Sequence, residues 1–188
     1  MVSRGWKYIN GVKMITQERL KELLHYDSET GVFTWLRRDG DSRAVKVFNS
    51  QYAGQVAGSI QIDSTGHKQL TIYFDKKAHK AHRLAWLYVY GRLPRGIIDH
   101  VNGDSLDNRI VNLREADDYQ SAWNKSKLAT NKSGYKGVSL KKKSGRWVAQ
   151  ISYKGKKMSL GYYDTPEEAH KAYCEAAIKL HGEFAKLS

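Results

Sequence analysis

The sequence predicts an α+β chain in two parts: a ββα unit, followed by a small three-stranded antiparallel sheet packed on one helix. Three observations predict it. Residues 99–114 form a polar stretch dense in Asp and Asn, pinned to a core by Ile97, Ile98 and Leu113; such side chains bond nearby backbone and tolerate left-handed dihedrals, which favours an ordered loop. Strand-type residues recur over 136–140, 146–153 and 157–162, the spacing of three short strands. Thr165-Pro166-Glu167-Glu168 then supplies an N-cap, a proline at the first helical position and a capping-box glutamate.

Composition bounds the classes. At 188 residues, 40% hydrophobic and 27% charged, the chain suits one large or two small soluble cores. A net charge of +13 and a pI near 9.7 point to a polyanionic partner, nucleic acid first. Cys174 stands alone, which excludes a disulfide framework and a Cys-rich zinc site and fits a reducing compartment. With no long apolar run and no signal-type segment, neither membrane insertion nor secretion is expected.

In chain order, residues 1–13 show no clear period and read as a basic N-terminal tail. Thr16 is an N-cap, Ile15 and Leu20 a hydrophobic staple, and Leu20, Leu23 and Leu24 one apolar face of a short helix ending near His25. Turn residues over 26–31 lead into a strand at 32–36. The charged, poorly patterned residues 37–49 read as an exposed loop. Gly54, Gly58 and Gly66 punctuate short β-rich pieces over 54–81, a small antiparallel hairpin set. Residues 82–90 form an apolar helix stopped by Gly91 and Pro94, packing under the 97–114 stretch. Residues 116–123 read as a closing helix and 125–133 as a basic linker. Between Lys125 and Tyr163 stand eleven Lys or Arg and no Asp or Glu, so the three strands would display a basic face. On the last helix Ala169, Ala172, Tyr173, Ala176 and Leu180 share one side, with Gly182 as its stop and Cys174 as a small helix residue.

The site chemistry centres on two neighbours. His100 can take a proton from water near neutral pH, and the hard carboxylate of Asp99 suits Mg²⁺. Adjacent residues on a regular strand face opposite ways, so the two can serve one site only where the strand ends or bulges, as Gly96 and Gly103 permit. His82 has two readings, a ligand or phosphate contact and a structural hydrogen-bonder; the second is favoured.

The string Asp-His-x-Asn-Gly-x-x-x-Asp-Asn-Arg-x-x-Asn-Leu-Arg at 99–114 resembles the motif of HNH endonucleases, the ββα-metal fold of homing and phage nucleases. His-Arg-Leu-Ala-Trp at 82–86 extends that similarity through about 16–124. The resemblance implies a DNA-cleaving enzyme with Mg²⁺, for which Mn²⁺ can stand in, leaving 5′-phosphate and 3′-hydroxyl ends. His100 would be the general base, Asn108 the residue that ties the loop and orients it, and Asp99 the first metal ligand. The second ligand falls at Ser121, where family members carry Asn or His, or at Asn124 one turn on. Arg109 and Arg114 would clamp the phosphate or are plain surface charge.

Gly-Tyr-Lys-Gly-Val, Gly-Arg-Trp-Val-Ala-Gln-Ile and Leu-Gly-Tyr-Tyr-Asp-Thr-Pro-Glu-Glu-Ala are similar to the Apetala-2 or ethylene-response-factor DNA-binding domain, over about 133–187. That family's sheet enters the major groove, which implies contacts from Lys136, Lys141, Lys143, Arg146, Trp147, Gln150, Ser152, Lys156, Lys157 and Ser159. Arg146 and Gln150 retain base-reading chemistry, and the lysines suit phosphates.

The expected layout is therefore a tail at 1–13, an HNH nuclease domain at 14–124 with its motif in 97–124, a linker at 125–133 and an Apetala-2-like domain at 134–188. The expected function is a metal-dependent endonuclease on double-stranded DNA, phage- or mobile-element-encoded and cytoplasmic in the host cell. The alternative is a catalytically weak or inactive DNA-binding protein that keeps the nuclease scaffold. RNA binding ranks third, because the basic sheet resembles a duplex-DNA reader.

Overall fold

A computed structural model describes residues 6–9, 12–127 and 130–188. The chain divides into two compact units, Met1–Glu115 and Ala116–Ser188.

The first unit opens with a correction. Strand β1 (Trp6–Ile9) pairs antiparallel with β2 (Val12–Ile15), Ile9 opposite Val12, where a patternless tail was expected. The signal was present: Asn10-Gly11 between two apolar runs is a strong short-range hairpin signature. Residues 1–5, 10 and 11 of the expected tail lie outside the described residues. Helix α1 (Gln17–Leu23) starts as expected at Thr16, whose hydroxyl accepts from the Arg19 N–H. It ends at Leu23, two residues before His25, because the chain passes directly into strand β3 (Leu24–Tyr26), which pairs with β4 (Phe33–Trp35).

Residues 37–49 hold a second correction. Helix α2 (Arg43–Gln51) is capped by Ser42, yet none of its residues is buried. Its apolar positions Val45 and Phe48 are only half-buried, Phe48 edge-on to Trp35 at 5.6 Å, and side-chain bridges add to this packing. Asn49 accepts from the Arg38 N–H and donates to the Arg38 carbonyl, both at 2.8 Å, and the Arg38 guanidinium lies 3.5 Å from the Phe48 ring centroid.

Strands β5 (Ser59–Ile62), β6 (Lys68–Phe74) and β7 (Lys77–Lys80) form the expected antiparallel set, with β6 central. Helix α3 (Ala81–Tyr90) follows and stops at Gly91, whose φ of 69° lies in the left-handed region. Leu20, Leu24, Phe33, Ile72 and Leu84 are fully buried in one core. Ile98 of strand β8 (Ile97–His100) and Leu113 of strand β9 (Leu113–Ala116) join it. Both ends of the polar loop between these strands are thus anchored in hydrophobic packing.

The second unit begins with helix α4 (Asp118–Trp123), shorter at its start than expected because Ala116 still belongs to β9. Asp117 and Gln120 close a capping box at 2.7 and 2.8 Å. Strands β10 (Val138–Lys141), β11 (Arg146–Tyr153) and β12 (Lys156–Tyr163) lie in that order, antiparallel, with a bulge between Ala149 and Gln150. Helix α5 (Pro166–His181) carries the expected capping box of Thr165 and Glu168. It buries Ala169, Tyr173, Ala177 and His181, so the buried stripe is rotated toward Ala177 and His181, and Ala172, Ala176 and Leu180 sit at its rim. Among the described residues no helix is long and apolar enough to cross a membrane.

Candidate functional site

Strands β8 and β9 pair, and the Val101 N–H still reaches the Asn112 carbonyl at 2.9 Å. The Gly103 N–H then bonds the His100 carbonyl at 2.8 Å and turns the chain. His100 therefore sits where the strand ends. Beyond it the loop is built from side chains folded onto backbone: Asn102 Oδ1 accepts from the Asp104 N–H at 2.8 Å and Asp104 Oδ1 from the Leu106 N–H at 2.9 Å. Across the loop, Asn112 Oδ1 accepts from the Asn102 N–H, and Asn112 Nδ2 donates to the Asp107 carbonyl. These are Asx-type turns, and they account for the density of Asp and Asn.

Asn108 is 1% exposed. Its Nδ2 donates to the Leu106 carbonyl at 3.2 Å, which sets the amide's orientation and turns Oδ1 toward His100 Nε2 at 3.4 Å. An amide oxygen only accepts, so this contact suits the tautomer with its proton on Nε2 and a lone pair on Nδ1. Burial pushes the His100 pKa below the ordinary histidine value, against smaller upward pulls from Asn108 and Asp99. The imidazole is accordingly neutral at pH 7. The His82 ring stands edge-on to it, centroids 5.4 Å apart at 88°. Burial, followed by the neighbouring His100, pushes His82 down to about 3.

Asp99 is also buried, and its Oδ2 accepts from Arg114 Nε at 3.0 Å and Nη2 at 2.9 Å. Arg109 forks onto Asp107 at 2.8 and 2.6 Å and holds that carboxyl down at about 2. Both arginines expected at the phosphate thus brace carboxylates, Arg109 that of Asp107 in the loop and Arg114 that of Asp99 on β8. Among the described residues no group of three or more His, Cys, Asp or Glu could enclose a metal ion.

Residues far along the chain, outside the motif, also support this loop. The Tyr26 hydroxyl donates to the Asn108 carbonyl at 2.7 Å in a buried bond, and the Ile110 N–H reaches the Ser28 carbonyl at 3.3 Å. Gly31, at φ 74°, lies so close that a Cβ there would meet Arg109 N at 2.5 Å and the Asn108 carbonyl carbon at 2.6 Å. Tyr26 and Asn108 are 82 positions apart, so no spacing rule links them.

In the second unit, Ser121 lies on α4, and Asn124 is buried at its C-cap, with its N–H on the Gln120 carbonyl at 3.2 Å. Register sets Lys141 opposite Arg146, Gln150 opposite Ser159, and Ser152 opposite Lys157. Lys141, Arg146, Ser152, Lys157 and Ser159 are exposed. Arg146 also bonds Asp164 at 3.0 Å and the Tyr162 carbonyl at 3.1 Å. Lys143 in the β10–β11 turn and Lys156 at the start of β12 are exposed at the sheet's edges. Two expected contacts point elsewhere. Trp147 packs with Val138, Ala149 and Ala169 on the helix side. The Lys136 ammonium turns inward to the carbonyls of Trp123 and Lys125 at 2.7 and 2.6 Å, and burial pushes its pKa to about 8.

A strand-end histidine faces a buried asparagine, in a chain that also carries a separate sheet-and-helix unit, which is the layout expected of a nuclease with an attached DNA-binding module. Comparison agrees: a family described as HNH endonuclease matches residues 79–120, and the AP2 domain matches residues 133–183. The chain is 32% identical over 112 residues to Protein 3.8 of Escherichia phage T7, covering 59% of this chain and 92% of that protein. It is 30% identical over 122 residues to the uncharacterized HNH endonuclease L560 of Acanthamoeba polyphaga mimivirus, 64% of this chain and 63% of that one. APETALA2-like protein 2 of Oryza sativa is 42% identical over 56 residues, 30% of this chain and 13% of its own length. A solved structure of DNA binding and cleavage by the HNH homing endonuclease I-HmuI aligns over 94% of this chain and 90% of that chain. Its TM-score is 0.36 at 17% identity. The chain belongs to the HNH endonuclease family and carries a C-terminal AP2 domain.

Proposed function

We propose that the protein is a metal-dependent endonuclease that hydrolyses phosphodiester bonds of double-stranded DNA, with its AP2 sheet holding the duplex, in the host cell of a phage or mobile element. His100 at the strand end, with its Nε2 facing the fixed Asn108 amide, is the observation that carries this reading. In the proposed mechanism His100 accepts the proton of the attacking water through Nδ1, and Asn108 keeps the ring in that tautomer. The donor set fits Mg²⁺ or Mn²⁺: Mg²⁺ retains several waters and takes one or two carboxylates plus substrate phosphate, and Asp99 offers one hard carboxylate. When bound, such an ion supplies Lewis-acid stabilisation of the leaving 3′ oxygen. The exposed Lys141, Lys143, Lys156 and Lys157 suit phosphates, while Arg146 and Gln150 suit base edges.

A second reading, a DNA-binding protein with weak or no catalysis, is favoured by the guanidinium of Arg114 on Asp99, because that cation competes for the carboxylate a metal needs. Nicking of supercoiled plasmid across a Mg²⁺ titration separates the two. The nuclease reading expects cleavage that EDTA stops, Mn²⁺ or Mg²⁺ restores and His100→Ala abolishes without loss of DNA affinity, since the base acts in the transition state. DNA binding without nicking at any metal concentration supports the second reading.

A further inference from the structure

We propose that Tyr26 is a positioning residue for His100, acting through Asn108; this rests on the nuclease reading above. Asn108 faces His100 with its side chain while its own carbonyl receives the buried Tyr26 hydroxyl at 2.7 Å. The same peptide is pressed from the neighbouring turn, where Gly31 leaves no room for a side chain against the Asn108 carbonyl carbon and Arg109 N. Asn108 is therefore held at three points: its amide by Leu106, its carbonyl by Tyr26, and its following peptide by the Gly31 turn.

Tyr26 is well placed to transmit rigidity. It is 5% exposed, its ring lies 4.7 Å from Phe33, a core residue, and 5.6 Å from Tyr88, which packs against that core. The hydroxyl stays protonated because burial raises its pKa above the ordinary tyrosine value, so it always presents a donor to the carbonyl. The core thus reaches the Asn108 carbonyl through a directed hydrogen bond, and the Asn108 amide passes that position on to the imidazole. Misplacing a reacting group by about 1 Å costs on the order of a hundredfold in rate. Tyr26 itself, buried beneath the loop, has no means of touching DNA.

Tyr26→Phe in the full chain removes one oxygen and keeps the ring. Plasmid nicking at saturating and sub-saturating DNA is measured with Mg²⁺, together with thermal melting and the ¹H–¹⁵N ring signals of His100 without metal. The expected result is a fall in kcat of roughly ten- to a hundredfold, with KM within twofold, and displaced His100 ring signals. Ile72→Val as a second variant, in the same core but in no ring contact with Tyr26, controls for core packing alone: it should lower the melting temperature while leaving the His100 signals in place. Tyr26→Phe with unchanged kcat, or with His100 signals superimposed on those of the native chain, overturns the proposal. If the native chain does not nick, the nuclease reading fails by itself, and the ring signals alone decide whether Tyr26 positions His100.

Discussion

At the scale of residues, burial sets the charge state of the site, and that has a measurable cost in acid. Folded His82 takes a proton only near pH 3, whereas an unfolded histidine takes one near 6.5. Its contribution to stability is complete above about pH 6.5 and is lost as the pH falls toward 3, by up to about 1.4 kcal/mol per pH unit. His79, His100 and His181 are lowered chiefly by burial and act in the same direction. The lowered carboxyls Asp107 and Glu115, both near 2, lose their contribution only below the ordinary carboxylate range. Melting followed from pH 7 to 4.5 should therefore fall steadily, and His82→Phe should flatten the slope; a native midpoint that does not move over that window contradicts the burial account. Gly31→Ala makes a second test at this scale. A methyl group at φ 74° pressed against the Asn108–Arg109 peptide should destabilise the first unit by about 1–3 kcal/mol, read by chemical denaturation.

At the scale of elements, the sequence showed what is carried by periodicity, capping and turn chemistry. Helices α1, α3 and α5, the β5–β7 set and the three-stranded sheet were legible because each has an apolar stripe, a cap or a stop that acts locally. Helix α2 was not, since it sits in a charged stretch with Val45 and Phe48 only half-buried, and it is held by Phe48 on Trp35 and by Asn49 on the Arg38 backbone. The β1–β2 pairing has its local signal in the Asn10-Gly11 dipeptide. Of the site, the motif marked His100, Asp99 and Asn108, but the residue pattern could not reveal that Arg109 pairs with Asp107 and Arg114 with Asp99, or that Tyr26 reaches Asn108 from far along the chain. Helix α4 shows a different limit. The HNH match extends to residue 120, yet the Trp123 ring stacks on His181 at 4.4 Å and on Tyr153 at 5.5 Å, and Lys136 caps the Trp123 carbonyl. A fragment of residues 116–188 should accordingly melt higher than one of residues 131–188, and Trp123→Ala in the longer fragment should cost about 2 kcal/mol, less than a fully buried tryptophan. Equal melting of the two fragments would mean that α4 adds nothing to this unit.

At the scale of the whole molecule, a net charge of +13 makes DNA affinity an ionic-strength measurement. Log affinity should fall linearly with log salt, by roughly 0.9 per phosphate neutralised. Lys141→Ala should weaken binding to every sequence and reduce that slope, whereas Gln150→Ala should keep the slope and relax sequence preference. Equal effects of both on all sequences would place the sheet on the backbone alone. Arg146 sits between these cases, because its guanidinium is already paired with Asp164 and must leave that partner to read a base.

The stacking of Trp123 on His181 also bears on how such a chain can be assembled from parts. A graft that exchanges the AP2 portion at residue 131 leaves the tryptophan facing a foreign surface and Lys136 without the carbonyls it caps. A graft made at Ala116 carries both halves of that contact together. Viable chimaeras, whether made in the laboratory or by recombination between genomes, should therefore have their crossover before α4.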